Sequence, residues 1–396
     1  MISQPAAVDD LRGEILALAD ACVLCGQCLP VCPTYGLDQR EAESPRGRIM
    51  LMQQLAAQPE ADRYADSDAL DHCLSCGRCE AMCPAKVRFG RLMDLSRQLR
   101  RPRRSASWTM RGLLFIVARP VLLAWLLRLA RWPARWLPGR WMRLLTAVQA
   151  PIAVPEPVAV TDRRPAVILF EGCVERHAEA AAFVALRRIL DRLGWQVINM
   201  PMQGCCGALA RHAGEALDAD RLAQSNQRAL AASVASAPVS PSFVLTLSTG
   251  CHKEVEDALG KQVPVLEAMA FLLAHTPLRA WPFRPSDIDV VVHSPCTARP
   301  NSDRRQFAAE EMLRLLPGIR LHRIAPQGCC GAAGAHMLQF PQRAEQLAAP
   351  VLEEFSSRPQ ARWCTSNVGC HLHLQSLAGA KARPMQHPLV LIDEAM

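Results

Sequence analysis

Apolar positions recur at helical spacing from Leu11 to Ala21 and again from Arg46 to Ala57, which predicts two helices. Residues 34–72 carry no alternating strand pattern and read as helical throughout. From about residue 165 the pattern changes. Short apolar runs such as Ala166–Phe170 and Asp289–His293 alternate with Ala- and Leu-rich stretches of helical spacing, as strands and helices do in an α/β unit.

This second part repeats itself. Ala166-Val-Ile-Leu-Phe-Glu-Gly-Cys173 corresponds to Asp289-Val-Val-Val-His-Ser-Pro-Cys296, and Gln203-Gly-Cys205-Cys206-Gly207 to Gln327-Gly-Cys329-Cys330-Gly331. Leu247-Ser-Thr-Gly250-Cys251-His252 answers Ser366-Asn-Val-Gly369-Cys370-His371, and His212 and His336 keep the same step. Two copies of one α/β unit, related by pseudo-two-fold packing, are expected.

The region joining the two parts is different again. Between Asp94 and Glu156 there is no acidic residue, arginines recur from Arg97 through Arg143, and five of the eight tryptophans fall here: Trp108, Trp125, Trp132, Trp136 and Trp141. Its most apolar stretch, Leu113–Leu129, is interrupted by Arg119 and Pro120 and closed by Arg128. It falls short of the roughly 20 apolar residues of a spanning helix. Arginine and tryptophan on short amphipathic helices suit either a bilayer interface carrying anionic lipid or a protein partner. Pro151, Pro155 and Pro157 mark its end. The expected division is therefore a helical domain over 1–100, a basic, Trp-rich helical linker over 101–160, and two α/β domains over 161–280 and 281–396.

Composition modifies this picture little. A chain of 396 residues, half of them apolar, has room for two or three domains of roughly 100–200 residues each. The net charge of +8 comes overwhelmingly from arginine, with lysine only at Lys86, Lys253, Lys261 and Lys381, and no nucleic-acid partner is expected. The acidic, helical-looking N-terminus lacks the apolar core and cleavage site of a signal peptide, so the expected location is cytoplasmic, with reduced thiols.

Those thiols carry the chemistry. Eight of the seventeen cysteines form two matched runs, Cys22-x-x-Cys25-x-x-Cys28-x-x-x-Cys32-Pro33 and Cys73-x-x-Cys76-x-x-Cys79-x-x-x-Cys83-Pro84. Three thiolates at two-residue intervals wrap one face of a [4Fe-4S] cubane, and the fourth, turned away before the proline, serves the other cluster. By that rule Cys22, Cys25, Cys28 and Cys83 hold cluster 1, and Cys32, Cys73, Cys76 and Cys79 hold cluster 2. Zinc, which takes two ligands from each of two separated knuckles, fits such runs poorly.

In the repeats, Cys173, Cys205, Cys206 and Cys251 form one group of four thiols, and Cys296, Cys329, Cys330 and Cys370 a second. Each group follows strand ends, where open α/β sheets gather their functional loops. The bland alternative is burial as small hydrophobes; the expectation is a further cluster or a zinc ion in at least one copy. Cys364 lacks a counterpart and reads as a core thiol. His252 and His371 are candidates for ligands or for donors behind them.

In this order the motifs, with Glu43-Ser-Pro-Arg46-Gly-Arg48 between the runs, resemble the iron-sulfur subunits of glycolate oxidase across nearly the whole chain. The resemblance implies an α+β multidomain fold: a helical ferredoxin-like domain with two [4Fe-4S] clusters, then a duplicated Cys-Cys-Gly domain of the heterodisulfide reductase superfamily. It further implies an electron-transfer subunit with no catalytic residue of its own. Electrons from FAD on a partner oxidase subunit would pass to a quinone or other membrane acceptor as glycolate, or D-lactate, is oxidised. The absence of any Gly-x-Gly pair fits a flavin housed elsewhere. The alternative is an iron-sulfur subunit of heterodisulfide-reductase or anaerobic glycerol-3-phosphate dehydrogenase type. Ser248 and Asn367, standing where that superfamily has a further cysteine, count against disulfide reduction.

Overall fold

The computed structural model describes residues 5–58, 68–101, 108–129, 164–298, 307–324, 328–379 and 382–396. In the first part, helices Pro5–Ala19, Pro45–Ala57 and Phe89–Arg100 pack around a core of Ile15, Ile49, Met52, Leu70, Leu92, Met93 and Leu95. Helix Pro45–Ala57 starts where its sequence says it must. Pro45 takes the first turn, where its missing N–H costs nothing, and Ser44 Oγ accepts from Gly47 N at 2.9 Å. Gly47 is required there, since a Cβ would stand 2.8 Å from the carbonyl carbon of Glu41. Among the described residues of 34–72, helix covers Pro33–Asp38, Pro45–Ala57 and Asp68–Asp71, with a 3-10 turn at Glu41–Glu43. Pro33 and Pro45 each restart the backbone and bend the chain around the cysteine loops.

The arginine- and tryptophan-rich segment forms helices Trp108–Val117 and Pro120–Leu129, bent by 104° at the break before Pro120. Val117 and Leu123 bury against the first α/β unit, while Trp108, Phe115, Val121 and Trp125 face outward. No single described helix is long and apolar enough to cross a membrane. Trp132, Trp136 and Trp141 lie outside the described residues.

Each repeat is a four-stranded parallel sheet. Strands β1 (Ala166–Phe170), β2 (Gln196–Ile198), β3 (Phe243–Thr246) and β4 (Val265–Glu267) lie in the order β2-β1-β3-β4. Strands β5 (Asp289–His293), β6 (Arg320–Arg323), β7 (Arg362–Thr365) and β8 (Met385–Gln386) repeat it as β6-β5-β7-β8. Strands β1 and β5 are nearly continuous apolar runs because helices cover both sheet faces.

The two units share one core. Val167, Leu169 and Leu245 of the first sheet join Val290 and Val292 of the second through Phe271, Leu272, Met312 and Leu389. The packing is reciprocal: helix Ala180–Arg192 lies on Pro388–Ala395, and helix Ala268–His275 on Ala308–Leu313. The pseudo-two-fold expected from the repeat is thus built by each unit covering the other.

Candidate iron-sulfur centres

The two cysteine runs are loops wound by left-handed residues. Leu24 and Gly26 flank Cys25, Ser75 and Gly77 flank Cys76, and all four have φ between 49° and 79°. Leu24 and Ser75 hold this conformation against a cost of roughly 1–2 kcal/mol each, a strain found at functional loops. The loops line two pockets. One, solvent-open and of about 440 Å³, is lined by Cys22, Cys25, Cys28, Cys79 and Cys83; the other, also solvent-open and of about 330 Å³, by Cys32, Cys73, Cys76 and Cys79. Each pocket draws thiols from both runs.

The chemistry of these thiols fits a polynuclear group. Burial pushes Cys76 up to about 12 and Cys79 well above the ordinary thiol range, with neighbouring sulfurs adding to it. As thiolates they need a positive centre beside them. A single zinc ion, with bonds of about 2.3 Å to sulfur, requires its ligands to crowd one point. Among the described residues no three His, Cys, Asp or Glu side chains do so. A cluster several atoms across takes thiolates held further apart.

In the first repeat, Cys173, Cys205 and Cys206 are buried and Cys251 half-buried at the ends of the strands. Cys173 and Cys205 sulfurs lie 3.5 Å apart, and bonds from Cys173 and Cys206 hold Cys205 well below the usual thiol range. Glu175 points into the same corner: built onto Gly172, a Cβ would lie 3.0 Å from Glu175 Oε2 and 3.6 Å from Cys251 Sγ. Burial, with Glu179 nearby, pushes the Glu175 carboxyl up to about 8, and neither oxygen has a hydrogen-bond partner.

In the second repeat, Cys329, Cys330 and Cys370 are buried, and the sulfurs of Cys330 and Cys370 lie 2.8 Å apart. Cys296 is half-buried and close enough to raise Cys76, as Cys76 in turn raises Cys329. The second cysteine run therefore packs onto the second repeat. Leu74 and Cys76 join Cys329 and Leu347 in one apolar cluster, and buried Arg78 donates from Nη2 to Gly328 O at 2.9 Å. Beside this contact, a solvent-open cleft of about 1930 Å³ runs between Cys76, Arg211, Thr249 and Thr297. Gln327 lies outside the described residues.

The remaining candidates divide. Cys364 is fully buried within β7, as a core thiol should be. His252 Nδ1 pairs with Thr246 Oγ1 at 2.8 Å and His371 Nδ1 with Glu179 Oε1 at 2.6 Å, so both serve buried polar networks. Ser248 and Asn367 bond across the units: Ser248 Oγ accepts from Val368 N at 3.3 Å, and Asn367 Nδ2 donates to Thr249 Oγ1 at 3.3 Å, with Thr297 Oγ1 of its own unit at 3.1 Å. Asn367 Oδ1 also caps its helix, accepting from Gly369 N at 2.9 Å. Arg48 and Glu43, buried beside Cys32, emerge only in the fold; their sequence signal is a charged pair flanking the Ser-Pro helix start.

Residues 18–87 match the 4Fe-4S dicluster domain, and residues 167–256 and 290–375 each match the cysteine-rich domain. The chain joins one dicluster domain to two cysteine-rich domains. Over 401 residues it is 29% identical to the glycolate oxidase iron-sulfur subunit of Escherichia coli (strain K12), covering 97% of this chain and 95% of that protein. It is 24% identical to the probable glycolate oxidase iron-sulfur subunit of Bacillus subtilis (strain 168), over 92% and 89% of the two chains. One of the subunits of the dihydromethanophenazine:CoB–CoM heterodisulfide reductase of Methanosarcina acetivorans is 24% identical, over 83% and 81%. The resemblance drawn from the motifs thus runs the length of this iron-sulfur protein. Its relatives are iron-sulfur subunits of oxidoreductases, and its own dicluster domain has an electron-transfer role.

Proposed function

We propose that this chain is the electron-transfer subunit of an FAD-linked glycolate or D-lactate oxidising complex, passing electrons from a partner's flavin to a quinone or another membrane acceptor. The observation that carries the reading is the pair of pockets, each lined by motif thiols from both runs. Cys22, Cys25, Cys28 and Cys83 hold cluster 1; Cys32, Cys73, Cys76 and Cys79 hold cluster 2. When bound, the clusters supply one-electron steps between a two-electron flavin and its acceptor. The protein's part is to fix the thiolates, exclude water and set the order of transfer. Cys25 is exposed while Cys76 packs against Cys329, so the first pocket faces incoming electrons and the second faces the second cysteine-rich unit. Substrate is oxidised on the partner, and the chain alone has no such activity.

We place a further cluster at the Cys173, Cys205, Cys206, Cys251 and Cys296, Cys329, Cys330, Cys370 groups, in preference to a zinc ion, for which, among the described residues, no three of these thiols crowd one point. Disulfide reduction is the weaker reading, because Ser248 and Asn367 are committed to contacts between the units.

The complex sits on the cytoplasmic face of the membrane, with the outward Trp108, Phe115, Val121 and Trp125 face toward lipid. Flotation with anionic liposomes at low salt, lost at high salt, is expected; no flotation at low salt would assign that face to a partner subunit.

Anaerobic iron, sulfide and zinc analysis with EPR, comparing wild type with a Cys22→Ser, Cys76→Ser double variant, tests the core of the reading. About eight irons, lost in the variant, support two clusters; about four more that survive place another cluster in the cysteine-rich units. Wild-type protein with zinc and no iron would sink it.

A further inference from the structure

The start of helix Pro45–Ala57 reaches both cysteine pockets. Arg46 lines the pocket of Cys22, Cys25, Cys28 and Cys83, and Arg48, two residues on, lines that of Cys32, Cys73, Cys76 and Cys79. The two guanidinium groups sit in different surroundings. Arg46 is 31% exposed and forks onto Glu41, with Nε to Oε1 at 2.7 Å and Nη2 to Oε2 at 3.2 Å. Water screens most of its charge.

Arg48 is 1% exposed, and each of its nitrogens is engaged. Nε donates to Ala69 O at 2.7 Å, Nη2 to Glu43 Oε2 at 2.6 Å, and Nη1 to Thr34 Oγ1 at 2.9 Å. The same Nη1 stands 3.8 Å from Cys32 Sγ, and Thr34 Oγ1 stands 3.3 Å from it. Glu43 does not balance Arg48 alone. Its Oε1 pairs with His72 Nδ1 at 2.6 Å, and its Oε2 also lies 3.4 Å from Arg343, which is held by Asp38. The Glu43 carboxylate meets Arg48 at Nη2, so the Nη1 edge of the guanidinium is the one that faces Cys32.

Burying a guanidinium strips it of water, a cost that its hydrogen bonds and its charged partner must offset. Beside a redox centre it has a use. An added electron increases negative charge on the ligand sulfurs, and N–H groups aimed at those sulfurs favour the reduced state.

We propose that Arg48 is a positioning residue that sets the reduction potential of the centre held by Cys32, Cys73, Cys76 and Cys79. Resting on the two-cluster reading, the inference adds a direction to it. Arg48 favours one electron, given up by the partner's reduced flavin, on the side that packs against the second cysteine-rich unit. The step moves one electron and no proton.

The test is an EPR-monitored redox titration of the whole chain under anaerobic conditions, after iron and sulfide analysis, with Cys32→Ser identifying which signal belongs to this centre. Arg48→Gln is expected to lower the midpoint of this centre and leave the other in place, and Arg48→Lys to give a smaller shift in the same direction. Should Arg48→Gln lose iron, Thr34→Val carries the test: it removes the hydroxyl that accepts from Arg48 Nη1 and donates to Glu43 O beside Cys32 but keeps the Arg48–Glu43 carboxylate pair, and the midpoint of this centre alone should move. Arg46→Gln should not move this midpoint. Midpoints unmoved in Arg48→Lys and Thr34→Val at full iron content, or an equal shift of both centres, would overturn the role of Arg48 alone. Wild type without its irons would remove the two-cluster reading itself.

Discussion

The two Cys-Cys-Gly glycines match in sequence, yet substitution should cost them different amounts. Gly331 has φ +73° and Gly207 φ +94°, so alanine at either pays about 1–2 kcal/mol for a left-handed backbone. The surroundings then separate them. A Cβ on Gly331 falls inside the van der Waals radius of Ala344 O and lies 2.9 Å from that residue's carbonyl carbon, in helix Pro341–Ser356. Backbone cannot rotate away as a side chain can, and such overpacking costs about 1–3 kcal/mol more. On Gly207 the nearest atom is Ala219 O at 3.3 Å, a contact relieved by a few tenths of an ångström. The totals are about 2–5 kcal/mol for Gly331→Ala and about 1–2 kcal/mol for Gly207→Ala. Because the two units share one core they should melt together. At roughly 2–4 °C per kcal/mol, calorimetry of the anaerobic protein should then show a Tm lower by roughly 4–20 °C in the first variant and roughly 2–8 °C in the second. A Gly331→Ala Tm no lower than that of Gly207→Ala would refute the steric argument. The same clash should displace Cys330, so thiol labelling in the metal-free protein ought to rise at Cys330 and stay unchanged at Cys206.

Other consequences follow from single contacts. Cys83→Ser should remove the EPR signal of the centre that Cys22→Ser also removes and spare the one lost in Cys73→Ser; loss of the Cys73-dependent signal instead would reject the crossed ligand sets. Burial pushes His387 down to about 4 from 6.5, while its Nδ1 accepts from Leu389 N at 3.3 Å. Between those two values the unfolded chain binds a proton that the folded chain refuses, so stability falls as pH drops from about 6.5 to about 4, by up to about 3 kcal/mol. Urea denaturation of wild type against His387→Gln should show that extra acid loss only in wild type, and parallel curves would contradict it. Arg78→Ala leaves Gly328 O without its donor in a buried interface, a loss of about 1–3 kcal/mol. The expected sign is an earlier, separate unfolding of the dicluster domain, read by the loss of its visible absorption on heating.

Much of this protein is written locally. Cluster chemistry follows from the interval between cysteines, because the reach of a thiolate on a turn is set by backbone geometry, and residues 22–32 and 73–83 each hold a complete run. The repeat, its parallel strands and the thiols at their ends are legible for the same reason: apolar period and motif order are properties of neighbours in the chain. Helix Pro45–Ala57 announces its own start through Ser44, Pro45 and Gly47.

What only the tertiary structure decided are the relations between distant residues. That Cys76 lies against Cys296 and Cys329, on the second unit, depends on how Leu74 and Arg78 dock some 250 positions away, and no local pattern encodes that contact. Ser248 and Asn367 read as thiols lost from a motif, and became cross-links once the units faced each other. The shared core has the same origin, since helix Ala180–Arg192 is amphipathic whether it covers its own sheet or its neighbour's partner helix. Arg48 and Arg46 are two residues apart and equally charged in sequence. Only the packed fold strips water from one and leaves it on the other, and that difference in solvation gives the buried one its hold on Cys32.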